Sequence, residues 1–249
     1  MEQNVNRQLT FCSFFIGKLS SVEEITVIEK GVEKMTEIIF ILDKSGSMSG
    51  LEEDTIGGFN SMLKKQQKND GEVLVSTILF DDESEVLHDR VPLKEVKPLT
   101  EDDYIPGGCT ALLDAVGGAI KHIINVHKYA RPEDRPEKTL VIITTDGMEN
   151  SSERYDYRKV KKMIDRQQEK YNWEFIFLGA NIDAAKEAGR LGLSEERAVN
   201  YCHDREGTKV VYDAVSAYVT ARMCCANAMP VDPSWRKEID EDFKKRGKK

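Results

Sequence analysis

The amino-acid sequence predicts an α/β fold: a doubly wound, mostly parallel central sheet with one antiparallel edge strand and helices on both faces. From residue 35 onward, short apolar runs alternate with stretches of helical periodicity, as in doubly wound sheets. The run at 38–42 is continuously apolar, which is typical of a strand covered on both faces, and 140–144 is predicted to be another buried strand. The acidic link 81–83 is too short for a parallel crossover, so it predicts an antiparallel hairpin.

Each predicted element has its own signal. β-Branched and aromatic runs predict strands at 38–42, 73–80, 84–89, 140–144, 173–178 and 198–201. Apolar residues three and four positions apart predict helices at 52–67, 111–128, 155–170, 183–189 and 207–229. Gly57 and Gly58 weaken the first of these helices, because glycine is a poor helix former.

The chain has 249 residues, a length that fits one α/β domain with appendages. We expect the domain to span 35–229 and to be followed by a polar C-terminal tail at 230–249. Residues 1–34 lack a sustained period and have two interpretations. They are either a genuine N-terminal extension or upstream sequence ahead of a true start at Met35, and we favour the second interpretation.

Composition excludes several functional classes. The net charge of −8 disfavours broad nucleic-acid binding, since most of the surface repels phosphate. No apolar run approaches the ~20 residues that a membrane span requires. The five cysteines are odd in number and irregularly spaced, which favours a reducing compartment and a cytoplasmic location.

Three short motifs carry candidate chemistry. Asp43, Ser45 and Ser47 follow the first buried strand, Thr110 precedes a helix, and Asp146 follows another buried strand. Because ligands of open α/β sheets sit at the carboxyl ends of strands, we expect these motifs to converge. Two carboxylates and three hydroxyls form a set of hard oxygens that suits Mg²⁺ or Mn²⁺ rather than Zn²⁺.

In that order, the motifs resemble the metal-ion-dependent adhesion site (MIDAS) of von Willebrand factor type A (VWA) domains, and more particularly the small stand-alone bacterial members. The resemblance covers roughly residues 36–222. It implies that Ser45 and Ser47 coordinate the cation directly, Thr110 directly or through water, and Asp43 and Asp146 mainly through water. Lys44 departs from the apolar residue often found at its position.

The favoured function is a metal-dependent protein-binding module without catalytic turnover, in which the cation coordinates an acidic residue of an unidentified partner protein. One alternative is a phosphoester hydrolase with Asp43 as the nucleophile, although such enzymes require a second aspartate at the position that Ser45 occupies here. A second alternative is an RNA-associated VWA domain, although no basic surface is evident. The segment Cys202-His203-Asp204 lacks a second Cys or His at a ligand spacing, so we assigned it no role.

Overall fold

The computed structural model describes residues 35–224 and 233–247. Its strands are β1 (Thr36–Asp43), β2 (Val73–Phe80), β3 (Ser84–Pro92), β4 (Lys138–Thr145), β5 (Glu174–Ala180) and β6 (Ala198–Tyr201). Its α-helices are α1 (Glu52–Gln66), α2 (Leu112–Tyr129), α3 (Tyr157–Tyr171), α4 (Ala184–Arg190), α5 (Arg205–Cys224) and α6 (Lys237–Arg246). None of these helices combines the length and the apolar character that a bilayer crossing requires.

The strands form one six-stranded sheet in the order β3-β2-β1-β4-β5-β6. Only β3 is antiparallel to its neighbour, and it joins β2 through the predicted acidic link. The chain leaves β1 toward β2 on one side, and β4 later pairs with β1 on the other side. The order therefore reverses between β1 and β4, which is where open α/β sheets bind ligands.

Alternate residues of β1 enter two separate apolar cores. Ile38, Phe40 and Leu42 pack with side chains of α1, α5 and α6. Ile39 and Ile41 pack with side chains of α2, α3 and α4. Because a strand alternates its side chains between the two faces, this division confirms a sheet covered by helices on both sides.

The C-terminal part of the described chain differs in detail from the expectation. Helix α5 begins two residues before the predicted start and is followed through Cys224, and the predicted continuation at 225–229 lies outside the described residues. The segment expected to be a polar tail contains helix α6, whose Ile239 is 1% exposed and belongs to the core shared with α1 and α5. The proposed extension at 1–34 also lies outside the described residues.

Gly58 allows α1 to pack closely against α5. A Cβ on Gly58 would lie 2.4 Å from the Tyr212 ring, whereas a Cβ on the neighbouring Gly57 would meet nothing within 4 Å. We expect Gly58→Ala to lower the free energy of unfolding by about 1–3 kcal/mol because the core becomes overpacked. Gly57→Ala should raise it by up to about 1 kcal/mol through helix propensity. Urea unfolding measures both, and equal stabilisation by the two variants would contradict this packing.

Candidate metal centre

The predicted site residues meet above the carboxyl ends of β1 and β4. Asp43 is the last residue of β1, and Asp146 directly follows β4. The two strands pair in parallel up to Leu42 and Thr144, so their carboxyl ends lie side by side. The sheet topology thus places the two aspartates at the point where the strand order reverses.

Asp43 is 1% exposed, and both of its carboxylate oxygens accept hydrogen bonds. The Ser45 amide donates to Oδ1 at 2.7 Å, in an arrangement typical of a turn after a strand. The Thr145 hydroxyl donates to Oδ2 at 2.5 Å and so ties the end of β4 to the end of β1. The buried Tyr104 hydroxyl donates to the Asp43 carbonyl oxygen at 2.5 Å and fixes the backbone there.

Burial raises the pKa of Asp43 from 3.8 to about 6, because a carboxylate loses its hydration inside the protein. The hydrogen bonds from Thr145 and Ser45 oppose this rise, and the nearby Asp146 carboxylate adds to it. A positive charge between the two aspartates would act in the opposite direction and stabilise both as anions.

Ser45, Ser47 and Asp146 form a continuous chain of polar contacts. The hydroxyl oxygens of Ser45 and Ser47 are 3.2 Å apart, and the Ser47 hydroxyl donates to Asp146 Oδ1 at 2.5 Å. The other oxygen, Asp146 Oδ2, is buried and has no hydrogen-bond partner. Buried polar atoms are rarely left in this state, so an unpartnered carboxylate oxygen here favours a cation at this position.

Thr110 lies against the same cluster. A Cβ built on Gly147 would be 2.9 Å from Thr110 Oγ1 and 3.6 Å from Ser47 Oγ, so the two hydroxyls approach the backbone at Gly147 from the same side. Asn150 holds the Thr110 backbone at both ends: its side-chain oxygen accepts from the Thr110 amide at 2.8 Å, and its own amide donates to the Thr110 carbonyl at 3.1 Å.

The loop before Thr110 also contacts the turn that carries the serines. The Gly46 amide donates to the Gly108 carbonyl at 3.2 Å. Gly108 has φ +65°, and a Cβ there would lie 2.4 Å from Asp82 Oδ2. Glycine is therefore required at this position, both for its backbone conformation and for its close approach to the hairpin.

The donor chemistry of the cluster fits a small divalent cation. Hydroxyl and carboxylate oxygens are the ligands that Mg²⁺ and Mn²⁺ prefer. Among the residues that the structure describes, no group of three or more His, Cys, Asp and Glu side chains has the spacing of a metal site. A cation at this position must therefore draw on Ser45, Ser47 and Thr110 in addition to the aspartates.

Lys44, which departs from the usual pattern, points away from the cluster. Its ammonium lies 3.6 Å from Asp81 and 3.5 Å from Glu85, both on the hairpin between β2 and β3. Because the Lys44 ammonium is paired with these two carboxylates, it does not take the place of a cation between Asp43 and Asp146.

Sequence reasoning missed several residues at the site. It gave Thr145 and Tyr104 no role, although both hydrogen-bond to Asp43. It also gave no role to Glu149, which the structure places against the start of α2, where its carboxylate accepts from the Leu113 amide at 2.8 Å. It set His203 aside, yet the His203 Nε2 lies 3.3 Å from Asp146 Oδ2.

No protein-family model matches the chain, and no curated protein matches it by sequence. The fold, in contrast, is shared with solved structures. The vWF domain of the type V pili tip protein Mfa5 from Porphyromonas gingivalis superposes with a TM-score of 0.53 at 11% identity, over 80% of this chain and 99% of that one. A mutant of the PilB minor pilin from Streptococcus sanguinis gives 0.52 at 10% identity, over 78% of this chain and 63% of that one.

Proximal thread matrix protein 1 from the mussel byssus, in a structure with a zinc-occupied MIDAS motif, gives a TM-score of 0.52 at 16% identity. The alignment covers 75% of this chain and 46% of the mussel protein, so the chain spans about half of that protein's length. The chain thus has the Rossmann-like fold of von Willebrand factor type A domains, the class that its sequence resembles.

Proposed function

We propose that this protein is a metal-dependent protein-binding module whose cation coordinates an acidic residue of a partner protein. The observation that carries the proposal is the convergence of Asp43, Ser45, Ser47, Thr110 and Asp146 around a buried, unpartnered carboxylate oxygen. Together with the VWA fold, it supports a site that holds a cation and leaves a coordination position open to a ligand from outside.

The residues divide into two roles. Ser45, Ser47 and Thr110 present hydroxyl oxygens, which ligate a hard cation without neutralising its charge. Both Asp43 oxygens already accept hydrogen bonds, so this carboxylate stabilises the charge through hydrogen-bonded groups or water. A bound divalent cation supplies a Lewis acid that attracts a carboxylate from the partner. Asp146 Oδ1 accepts the hydrogen bond from Ser47, and Asp146 Oδ2 is left to bind the cation or a water molecule on it.

The charge of the rim makes binding dependent on the cation. Four acidic residues lie on the β2–β3 hairpin and the loops beside the site: Asp81, Asp82, Glu85 and Glu149. The nearby Lys44 charge is paired with the hairpin. Without a cation, the surroundings repel an acidic partner as well as phosphate groups. The same charge argues against RNA as the ligand. Chelation should therefore remove partner binding altogether rather than weaken it slightly.

The geometry favours binding over phosphoester hydrolysis. A nucleophilic aspartate needs a free oxygen directed at the substrate, whereas both Asp43 oxygens accept short hydrogen bonds from the protein. The position two residues later is Ser45, which cannot act as a general acid or base at neutral pH. We therefore propose a module without catalytic turnover.

We further propose that the cation is Mg²⁺ or Mn²⁺ and that the protein works in the cytoplasm of a bacterial cell. The oxygen donors support the choice of cation. The free thiols of Cys109, which is exposed, and Cys202 agree with a reducing compartment. Fractionation of the native cells followed by immunodetection tests the location.

Asp146→Asn tests the cation site. We expect the wild-type protein to bind Mg²⁺ or Mn²⁺ in isothermal titration calorimetry, and the variant to bind at least about 100-fold more weakly, because it loses a full charge beside the cation. A matched control is Asp156→Asn, which removes the same charge at an exposed helix cap, where the carboxylate accepts from the Lys159 amide. Equal affinities for the wild type and Asp146→Asn would contradict the site.

The acidic ligand is tested on the intact protein. Peptides from an array that displays single Asp or Glu residues should bind in Mn²⁺ buffer, and the matching Asn and Gln peptides should not. Binding that survives EDTA, or that is equal for acidic and amide peptides, would overturn the proposed function.

A further inference from the structure

Four neighbouring strands, β1, β4, β5 and β6, end at this edge of the sheet, although the sequence motifs identify only β1 and β4. Asn181 directly follows β5, and His203 follows β6 by two residues. Because β4, β5 and β6 are adjacent and parallel, their carboxyl ends lie at the same edge of the sheet. His203 reaches across this edge: its Nδ1 is 2.8 Å from the Asn181 amide nitrogen, and its Nε2 is 3.3 Å from Asp146 Oδ2.

The two facing atoms, His203 Nε2 and Asp146 Oδ2, are both buried and both lack a hydrogen-bond partner. The Asp146 side chain is 0% exposed and the His203 side chain 18% exposed. An N–H aimed at the carboxylate would satisfy both atoms, yet they are not aligned as a hydrogen bond. Both atoms are of types that ligate metal ions, and the protein leaves both without a hydrogen bond, so a cation bound by the two would satisfy them.

The separation of these atoms fits two ligands of one cation. Imidazole nitrogen and carboxylate oxygen bind transition metals at about 2.0–2.2 Å, so two such ligands at an angle of about 90–110° lie about 2.8–3.6 Å apart. The observed distance of 3.3 Å falls within this range. The Ser47 hydroxyl donates to the other oxygen of the Asp146 carboxylate. The hydroxyl ligands therefore lie close to the position where His203 and Asp146 would bind the cation.

Asn181 lies where it can support a metal-binding imidazole. Metal-binding histidines usually donate their second ring N–H to an oxygen, which fixes the tautomer and leaves the other nitrogen with a lone pair. In the structure the Asn181 amide nitrogen faces Nδ1. A flip of this amide would present its oxygen instead, so that Nδ1–H donates to it and the Nε2 lone pair is free to coordinate. Asn181 has φ +53°, so the loop holds it in a left-handed conformation that asparagine tolerates.

We propose that His203 Nε2 is a ligand of the cation at this site, and that the site therefore takes a transition-metal ion such as Mn²⁺ in preference to Mg²⁺. The inference rests on the proposed function, since it names the cation preference of that same site. Imidazole nitrogen is a better ligand for a transition-metal ion such as Mn²⁺ than for Mg²⁺, which strongly prefers oxygen. His203 would thus determine which cation, and hence which metal supply, controls partner binding.

Pulsed electron paramagnetic resonance on the Mn²⁺-loaded wild-type protein tests the ligand directly. We expect a ¹⁴N coupling typical of coordinated imidazole, and its replacement by a ¹⁵N coupling when the protein is grown with ¹⁵N-histidine. The coupling should vanish in His203→Ala and persist in His122→Ala, a matched histidine on α2 that pairs with Asp89. Bound Mn²⁺ without a nitrogen coupling, or a coupling that survives His203→Ala, would overturn the proposal.

Calorimetry with Mn²⁺ and Mg²⁺ gives the second readout. His203→Ala should weaken Mn²⁺ binding about tenfold or more, since even the loss of a supporting partner of a ligand costs 10–100-fold. The affinity for Mg²⁺ should change by less than about threefold, so the ratio of the Mn²⁺ affinity to the Mg²⁺ affinity should fall. An unchanged Mn²⁺-to-Mg²⁺ ratio overturns the role of His203 but leaves the proposed function intact. Failure of the wild-type protein to bind either ion overturns the proposed function itself.

Discussion

Replacing Asp43 with asparagine is expected to stabilise the cation-free protein by about 1–3 kcal/mol at pH 7.5 while removing its cation binding. The pKa of Asp43 is raised from 3.8 to about 6 in the folded protein, mainly by burial. Between these two values the folded state binds more protons than the unfolded state, so stability falls as pH rises from about 4 to about 6. Above that range the penalty is constant, and a shift of this size corresponds to about 3 kcal/mol.

Asparagine removes the penalty with little loss of hydrogen bonding. Its Oδ1 still accepts from the Ser45 amide, and the Thr145 hydroxyl can donate instead to the Gly147 carbonyl, 3.1 Å away. Urea unfolding of metal-free wild type and Asp43→Asn at pH 4 and pH 7.5 measures the effect. The two proteins should be similar at pH 4 and diverge at pH 7.5. A difference that does not depend on pH would show that Asp43 is not the titrating group.

In the wild-type protein, protonation of Asp43 competes with cation binding. Because a cation stabilises the ionised form of Asp43, its affinity should fall about tenfold per pH unit below about pH 6. Asp43→Asn should bind the cation at least about 100-fold more weakly at pH 7.5, since a full charge is lost. Calorimetry at pH 5, 6 and 7.5 follows both effects, and a wild-type affinity that does not change with pH would contradict the assignment.

Most of the fold was accessible from sequence because every strand, and every helix except α6, has a local signal. The continuous apolar runs of β1 and β4 indicate burial on both faces, and the short hairpin link fixes the single antiparallel pair. Helix α6 was missed for the opposite reason. Nearly all of its residues are charged, and of its two apolar residues, Ile239 and Phe243, only Ile239 belongs to the buried core. Two apolar residues in a charged segment are too few to give a clear helical period.

The site was accessible only where its residues form short motifs. Asp43, Ser45 and Ser47 are close in sequence, and Asp146 follows a recognisable strand. His203 is a single histidine after a four-residue edge strand, so only the order of the strands brings it to Asp146. No local pattern marks it, although its place after a strand that points to the same sheet edge as β4 is a usable signal.

Glu149→Gln is expected to destabilise the protein by about 2–4 kcal/mol and to weaken cation binding about tenfold. The Glu149 carboxylate accepts four hydrogen bonds, from the amides of Leu113, Ser151 and Ser152 and from the Ser152 hydroxyl, at 2.7–3.0 Å. Glutamine replaces one acceptor oxygen with an NH₂ group that faces donors, and each unsatisfied buried donor costs about 1–3 kcal/mol.

The effect reaches the cation because Glu149 joins the loop after Asp146 to the first turn of α2, where the amide of Leu113 has no partner within the helix. Thr110 lies two residues before that helix, so a looser first turn displaces its hydroxyl from the cluster around Gly147. Glu153→Gln is the matched control: it removes the same charge from an exposed residue of the same loop. Urea unfolding and Mn²⁺ titration should separate the two variants. If both variants lose the same stability and the same Mn²⁺ affinity, Glu149 acts only through its charge. If the losses are confined to Glu149→Gln, the site depends on the hydrogen bonds by which this loop holds the start of α2.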